Sequence, residues 1–494
     1  MKLHTSANCP NIVQCSCCQE TLIHFNDWSV MPDCDPKFDA ISEMLALTSY
    51  GYGKNIIFSA LELKGHVDTE AFSQAVELSG QNFPNFRSTI KEIKLKGRYH
   101  LFRRLRPDLS LPFFQQELLV RDDSPELLDS LLYTLRKRLD RDWDLFSELP
   151  VELHLIRVSE KHHVLCLFIH HAAGDVGNLM EFGQKLLATY HELVSGQPPE
   201  WASSSLSLSS SGKKPAKHKQ VTWRGILRNA ARTLSGFLKT PVLPAGAGDA
   251  HDRNKQHQIR RVISVQDSRI LARHSKETQS SLVDWLTAAS HLAVDEWNRR
   301  RNIAPGTLTT SLTVNMRGRY KNLDNPNNSA LLFLRSLPHE RTDPNEFNQV
   351  LAAQRLRHFR SRNDYRYYES LESFNNFLRI LPFPARRRLA SHILNKHKVS
   401  IAITLLGVLW PEIRNGKPTG DTFLSASGDL EVAEVHGLGY KLASNTRLLL
   451  VVYLFRNRLN MILGASASLF NRQEAEAFMD LIVDNLMRVH RTIV

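Results

Sequence analysis

Two adjacent histidines and an aspartate four places beyond the second, His170-His171-Ala172-Ala173-Gly174-Asp175, directly follow the apolar run Val164-Leu165-Cys166-Leu167-Phe168-Ile169. Polar groups beside a hydrophobic strand cost desolvation energy unless partners satisfy them or a function requires them. A neutral imidazole can take up and return a proton near pH 7, which makes either histidine a candidate general base. Successive side chains of a strand point to opposite faces, so His170 and His171 do not share one cavity without a bend, and one of them is structural. Asp175 follows one turn beyond His171 if the chain tightens. There it bonds the imidazole, pairs with a distant arginine, or N-caps a helix expected over Val176 to Leu193. A strand end with two satisfied histidines and a capping aspartate is the alternative to a reactive site. No metal site is expected, because adjacent histidines splay and the spacing of an iron facial triad is absent.

The elements that must carry this segment follow from periodicity. Residues 55 to 64 alternate as a strand, and residues 68 to 80 show helical spacing at Ala71, Phe72, Ala75 and Leu78. Leu127, Leu128, Leu131, Leu132 and Leu135 place a helix over 123 to 139, and strands follow at 151 to 157 and 163 to 170. A second set begins with a strand at 259 to 264 and a helix bearing Leu282, Trp285, Leu286, Ala289, Leu292, Ala293 and Trp297. Strands at 307 to 314, 329 to 336, 400 to 406, 447 to 454 and 459 to 466 then alternate with helices near 344 to 361 and 472 to 490. Both halves are therefore α+β. Residues 202 to 212 and the basic run after them read as a linker, followed by a basic amphipathic helix over 223 to 239 with Arg224, Arg228 and Arg232 in a row. The division expected is an extension over 1–37, a first lobe over 38–200, the basic linker and helix over 201–258, and a second lobe over 259–494.

The 494 residues are 42% hydrophobic and 23% charged, with a net charge of +13. That is the composition of a soluble globular chain with material for large cores. The apolar runs are too short to span a bilayer and the N-terminus lacks a signal pattern, so cytoplasmic residence is the expectation, with peripheral membrane contact through the basic helix as a variant. Cys9, Cys15, Cys17, Cys18 and Cys34 crowd the first 34 residues near His4 and His24, as a reduced extension or a zinc site of unusual spacing. Positive charge alone does not select a partner. No aromatic and basic reading surface accompanies it, so nucleic acid is not expected. No Walker or dinucleotide glycine loop and no Gly-x-Ser-x-Gly elbow occurs, which removes three common enzyme classes.

The HHxxxD pattern of His170 to Asp175 resembles the signature of the thioester-dependent acyltransferase superfamily. That superfamily includes chloramphenicol acetyltransferase, the condensation domains of nonribosomal peptide synthetases, and the wax ester and polyketide-associated acyltransferases. Flanking segments agree in order. Asn55 to Gly65 with Val67-Asp68 is similar to the opening strand and helix of these proteins, and Phe83-Pro84-Asn85-Phe86-Arg87 to their "his-pro-x-leu-arg" segment. Asp144-Leu145-Phe146 with Leu149-Pro150-Val151 is similar to the approach to the motif, and Leu187, Tyr190, Leu193 and Gly196 to the helix beyond it. Val283 to Trp297 and Thr313-Val314-Asn315-Met316-Arg317 resemble the helix and "pro-val-asn-x-arg" strand of the second lobe. The resemblance covers about residues 38 to 494. It departs at Val176, where a glycine is usual and Gly177 stands one place later, and it lacks the Asp-Phe-Gly-Trp-Gly motif of the plant branch.

The resemblance implies two chloramphenicol-acetyltransferase-like α+β lobes forming a V-shaped cleft with a central tunnel, and His171 at its middle. It implies an acyltransferase that moves an acyl group from acyl-CoA or an acyl carrier protein to a hydroxyl or amine acceptor, in lipid or secondary metabolite biosynthesis. The thioester is a substrate, so no bound cofactor is expected. His171 and Asp175 are the implied catalytic pair, with His170, Gly174 and Arg87 supporting the site and Arg87 as the partner expected for Asp175. The amides of Gly174 and Val176, or the side chains of Thr404, Ser444 or Asn445, are candidates for the oxyanion. Asn315 is either a substrate contact or a strand-end structural residue, as is Arg317. The alternative function is a catalytically idle condensation-type module that binds a carrier or another partner protein.

Overall fold

The computed structural model describes residues 37–49, 54–117, 135, 141–196, 241–249, 251, 255–278, 280–317, 319, 327–394, 399–409, 411–414, 417–422, 430–440 and 446–491. The cysteine-bearing extension, the linker, the basic helix over 223 to 239 and the helix over 123 to 139 apart from Leu135 lie outside them, as do Ser444 and Asn445.

The apolar run before the histidines is a strand, β6 (His162–His170), buried on both faces. It is central in a five-stranded sheet ordered β13 (Glu431–Tyr440), β1 (Ile56–Lys64), β6, β5 (Val151–Ser159), β4 (Phe113–Glu117). A strand covered on both sides loses the alternation of a half-exposed one, which is why the run is continuous. On one face Leu165, Leu167 and Ile169 meet helices α2 (Thr69–Gly80) and α3 (Val176–Val194) through Phe72, Val76, Leu179, Phe182 and Leu186. The other face packs Phe58, Ile156, Cys166 and Phe168 against Leu135 and Trp143.

The second sheet is six-stranded, ordered β7 (Gln256–Ile263), β15 (Arg458–Ser466), β14 (Leu448–Phe455), β10 (Ile401–Val408), β8 (Leu308–Asn315), β9 (Ser329–Ser336). Trp285, Leu286, Ala289, Ala293 and Trp297 of the helix Leu282–Arg299 fill its core, together with Phe478 and Ile482 of the helix Arg472–Arg491. Strand β13 leaves this half of the sequence to pair antiparallel with β1 of the first sheet. Val432 and Val435 of β13 and Leu449, Val451 and Tyr453 of β14 join the first-lobe core, so the two halves share apolar packing. Among the described residues no helix is long and apolar enough to cross a membrane.

A second junction is ionic. Glu43 of helix α1 (Ala40–Thr48) is fully buried beside Arg379 and Arg386, which belong to the C-terminal end of the helix Asn363–Leu378 and to the helix Phe383–Leu394. Arg386 Nη1 donates to Glu43 Oε1 at 2.6 Å and its Nη2 to Glu92 at 2.6 Å, while Arg379 bonds both Glu43 oxygens and Glu372. Burial, with Lys37 and both arginines as further cations, pushes nearby His100 down to about 4. Buried charges of this kind are tolerated only with complete pairing. Glu43→Gln leaves two buried guanidinium groups short of a carboxylate, and is expected to lower the unfolding free energy by about 3 kcal/mol. Urea unfolding of the two proteins side by side checks this, and a loss under about 0.5 kcal/mol would mean that the cluster is solvated.

Candidate active site

The chain enters the site through two backbone contacts at the end of β6. His170 N–H donates to Pro150 O at 2.8 Å and His171 N–H to Asn55 O at 2.7 Å. Asn55 has φ of 49°, in the left-handed region that asparagine tolerates better than most residues, and its side chain bonds Leu45 O and Thr48. The chain entering β1 is thereby tied to α1 just where the histidines leave the sheet.

His170 and His171 then diverge, as alternation in a strand requires. His170 is buried. Its Nδ1 accepts the Ala172 N–H at 3.1 Å, which leaves Nε2–H to donate to Ser49 Oγ at 2.7 Å, and Ser49 passes its proton to Leu45 O at 2.8 Å. Burial, reinforced by the neighbouring His171, drives His170 down to about 3, so it is a neutral strut. His171 is half-buried on the turn, with Nδ1 3.0 Å from Asn327 Oδ1. Desolvation lowers its pKa, opposed by the charge of Asp175, the Asn327 contact and nearby backbone carbonyls. Burial thus favours the neutral imidazole over the imidazolium.

Asp175 caps α3: Asn178 N–H donates to its Oδ1 and the Asn178 side chain returns a bond to Asp175 N–H. Both carboxylate oxygens also receive Arg317, Nη1 to Oδ2 at 2.7 Å and Nη2 to Oδ1 at 2.8 Å. This bidentate pair corrects the expectation that Arg87 would partner Asp175. Arg87 instead donates to Glu77 Oε2 at 2.8 Å and to Leu109 O at 2.7 Å, tying α2 to the loop over 106 to 111. A carboxylate ten residues away on the preceding helix holds that guanidinium. Arg317 is presented by the turn after β8, where Asn315 Oδ1 accepts the Arg317 N–H at 2.9 Å. Asn315 thus shapes that turn.

The glycines explain the departure at Val176. A Cβ on Gly177 would lie 3.0 Å from Asp175 Oδ1 and 3.2 Å from Arg317 Nη1, so the bare position admits the guanidinium. A Cβ on Gly174 would stand 3.0 Å from Asn178 Cβ and Oδ1, against the capping box. Val176 itself packs on the first-lobe core. Beneath the turn, buried Arg103 reaches Ala172 O at 3.4 Å and Asp39 at 3.7 Å, over the Phe38 ring. Thr404 of β10 bonds Thr313 of β8 at 3.0 Å, hydroxyl to hydroxyl. Asn327, Arg103 and Ser49 escaped the sequence reading. Nothing local marks Asn327, within Asn325-Pro326-Asn327-Asn328, as a neighbour of a histidine 156 positions earlier.

The two arginines are distinguished by double-mutant cycles on stability. Arg317 with Asp175 is expected to show a coupling of about 1–3 kcal/mol, and Arg87 with Asp175 one within about 0.5 kcal/mol. Urea unfolding of the single and double alanine variants checks this, and the reverse ranking would refute the pairing.

Residues 49–311, over half of the chain, match the family model of the condensation domain. Two curated relatives match over shorter stretches. The isonitrile lipopeptide synthase of Mycobacterium tuberculosis is 27% identical over 143 residues, which is 29% of this chain and 5% of that protein. A probable nonribosomal peptide synthetase of Salinispora arenicola is 30% identical over 142 residues, 29% of this chain and 2% of the other. The chain therefore corresponds to a small part of much longer relatives. Among solved structures, a mutant of the starter condensation domain of rhizomide synthetase, in complex with C8-CoA and Leu-SNAC, superposes with a TM-score of 0.62 at 16% identity, over 94% of this chain and 96% of that one. The first condensation domain of the calcium-dependent antibiotic synthetase, in complex with a substrate analogue, gives 0.62 at 15% identity, over 93% and 96%. The X-domain from teicoplanin biosynthesis gives 0.59 at 16% identity, over 94% and 96%. These likenesses establish the two-lobed fold, and with the family match over the segment that bears the paired histidines and Asp175, they make this chain a member of the condensation-domain family.

Proposed function

We propose that this chain joins an acyl group, delivered as a thioester, to an amine or hydroxyl acceptor, with His171 as the general base. The observation that carries the reading is the contrast between the two histidines. His170 is saturated by Ser49 and Ala172 and held neutral far below its usual range, while His171 lies half-buried on a turn braced by the Asp175–Arg317 pair. A structural strand end has no need to hold the second ring on a separate, braced turn.

In the proposed reaction His171 takes the proton of the acceptor N–H or O–H as that atom attacks the thioester carbonyl. The C–N or C–O bond forms, the tetrahedral oxyanion collapses, the C–S bond breaks, and the proton passes from the imidazolium to the leaving thiolate. General base catalysis of this kind contributes about 10² to 10⁴ in rate, and juxtaposing the two substrates supplies much of the rest. Asp175 pairs with Arg317 and holds the turn. Oxyanion donors remain among the Gly174 and Val176 amides and the Thr404 hydroxyl. The donor is either a diffusible acyl-CoA or a phosphopantetheinyl carrier, and the transferred group either a fatty acyl or an aminoacyl unit.

The test uses acyl-CoA and acyl-N-acetylcysteamine donors of several chain lengths with amino acid thioester and simple alcohol acceptors, read by mass spectrometry. Wild-type protein should form product and His171→Ala should lose at least about 10²-fold in rate while keeping its unfolding midpoint. Equal product from a folded His171→Ala protein would overturn the role of His171. Absence of product with every donor and acceptor, carrier-bound ones included, would favour the idle binding module.

A further inference from the structure

Asn327 sits behind the candidate base and is wholly buried. Its amide touches three groups. Nδ2 donates to the His171 backbone carbonyl at 2.7 Å and to Ser42 Oγ at 2.9 Å, while Oδ1 lies 3.0 Å from His171 Nδ1. The orientation of an amide is fixed when one neighbour has a single hydrogen-bonding role. A backbone carbonyl only accepts, so the NH₂ end must face it, and Oδ1 must face the ring. Ser42 agrees: its own proton goes to Asp39 Oδ2 at 2.5 Å, which leaves its oxygen to accept from Asn327. Asp39 is in turn fixed by the amides of Ile41 and Ser42 at the start of α1 and by Arg103.

An oxygen facing His171 Nδ1 can only accept, so the proton of the neutral ring resides on Nδ1 and the lone pair on Nε2. We propose that Asn327 is a positioning residue, the end of an Asp39–Ser42–Asn327 relay that sets the tautomer of His171 so that Nε2 is the basic nitrogen. The proposal deepens the general-base reading and rests on it for its functional meaning, although the tautomer can be measured without any activity. The relay spans the lobes: Asp39 and Ser42 start α1, whereas Asn327 precedes β9. It also opposes the preference of a free imidazole for the Nε2–H form. The same amide that selects the proton position grips the carbonyl of the same residue, so ring and backbone are held together. His170, one position earlier, is held in the opposite tautomer by its own partners, so the adjacent rings differ in which nitrogen is basic.

The test is long-range ¹H–¹⁵N NMR of histidine-labelled full-length protein above the histidine titration range, with the His171 signals identified by their loss in His171→Gln. The expected wild-type spectrum shows a protonated Nδ1 and a bare Nε2 for this ring. Asn327→Leu, which leaves only the backbone carbonyls of His171 and Gly174 near the ring, should raise its Nε2–H population measurably, whereas Asn327→Asp, which keeps an acceptor at Nδ1 but loses both N–H donors, should retain the wild-type pattern. A purely structural role would make the two variants alike. Ser42→Ala, a smaller change, should add a measurable Nε2–H population and serves if Asn327→Leu does not fold. A wild-type Nε2–H ring, or Asn327→Leu and Ser42→Ala spectra identical to wild type, would overturn the proposal. Where transfer is measurable, Asn327→Leu should lower kcat several-fold, in step with the loss of the bare-Nε2 form, at little change in KM. A wild-type tautomer as expected without any transfer would leave the relay standing and count against the general-base reading alone.

Discussion

The ion pair between Asp175 and Arg317 is the constraint on which the arrangement depends. Asp175 opens α3 in the first lobe and Arg317 leaves β8 in the second, so the turn that carries His171 is fixed only when both lobes are folded and docked. A bidentate guanidinium–carboxylate contact fixes direction as well as distance, which a lysine at the same place would not. Everything that makes His171 distinctive follows from that docking: its partial burial, its depressed basicity and the presence of Asn327 behind it.

Docking has its own support, divided between apolar and charged contacts. Strand β13 carries the second half of the sequence into the first sheet, and Val432, Val435, Leu449, Val451 and Tyr453 extend one hydrophobic core through both halves. On another side Glu43 bridges Arg379 and Arg386 in full burial, with Glu372 and Glu92 as their second carboxylates. The apolar contact supplies most of the favourable free energy, while the buried charges penalise any misaligned docking because each would be left unpaired. A site assembled between lobes needs this alignment, since small displacements of Asn327 or Arg317 would release the ring.

Much of this was legible in the residues. The continuous apolar run of β6, the helix opened by Asp175 and the HHxxxD resemblance identified the fold and the histidines, because these depend on local pattern. What escaped was set by distance or by polarity. Arg87 lies in a family-like segment, yet its guanidinium was claimed by Glu77 on the adjoining helix, a competition that no motif reveals. The helix Asn363–Leu378 escaped although Leu371, Phe374 and Leu378 recur at helical spacing and pack on a core, because it also buries Asp364 and Asn375, and that polar burial blurs the stripe. Strand β13, with Gly437, Gly439 and three charged or histidine side chains, is a strand because β1 offers it an edge. Gly177 matters because Arg317, 140 positions later in the sequence, packs against it, and no local pattern marks that approach.

Whether the half-buried His171 is the base is decided by the pH dependence of kcat/KM for thioester transfer, which reports the ionisations of the free enzyme. Burial disfavours the imidazolium, so the base remains competent at acidities where an ordinary histidine, with its value of 6.5, would already be protonated. An acid limb below pH 6.5 is expected in the wild-type protein and should disappear from the residual rate of His171→Ala. An acid limb at or above that value, or one that persists unchanged in His171→Ala, would contradict it.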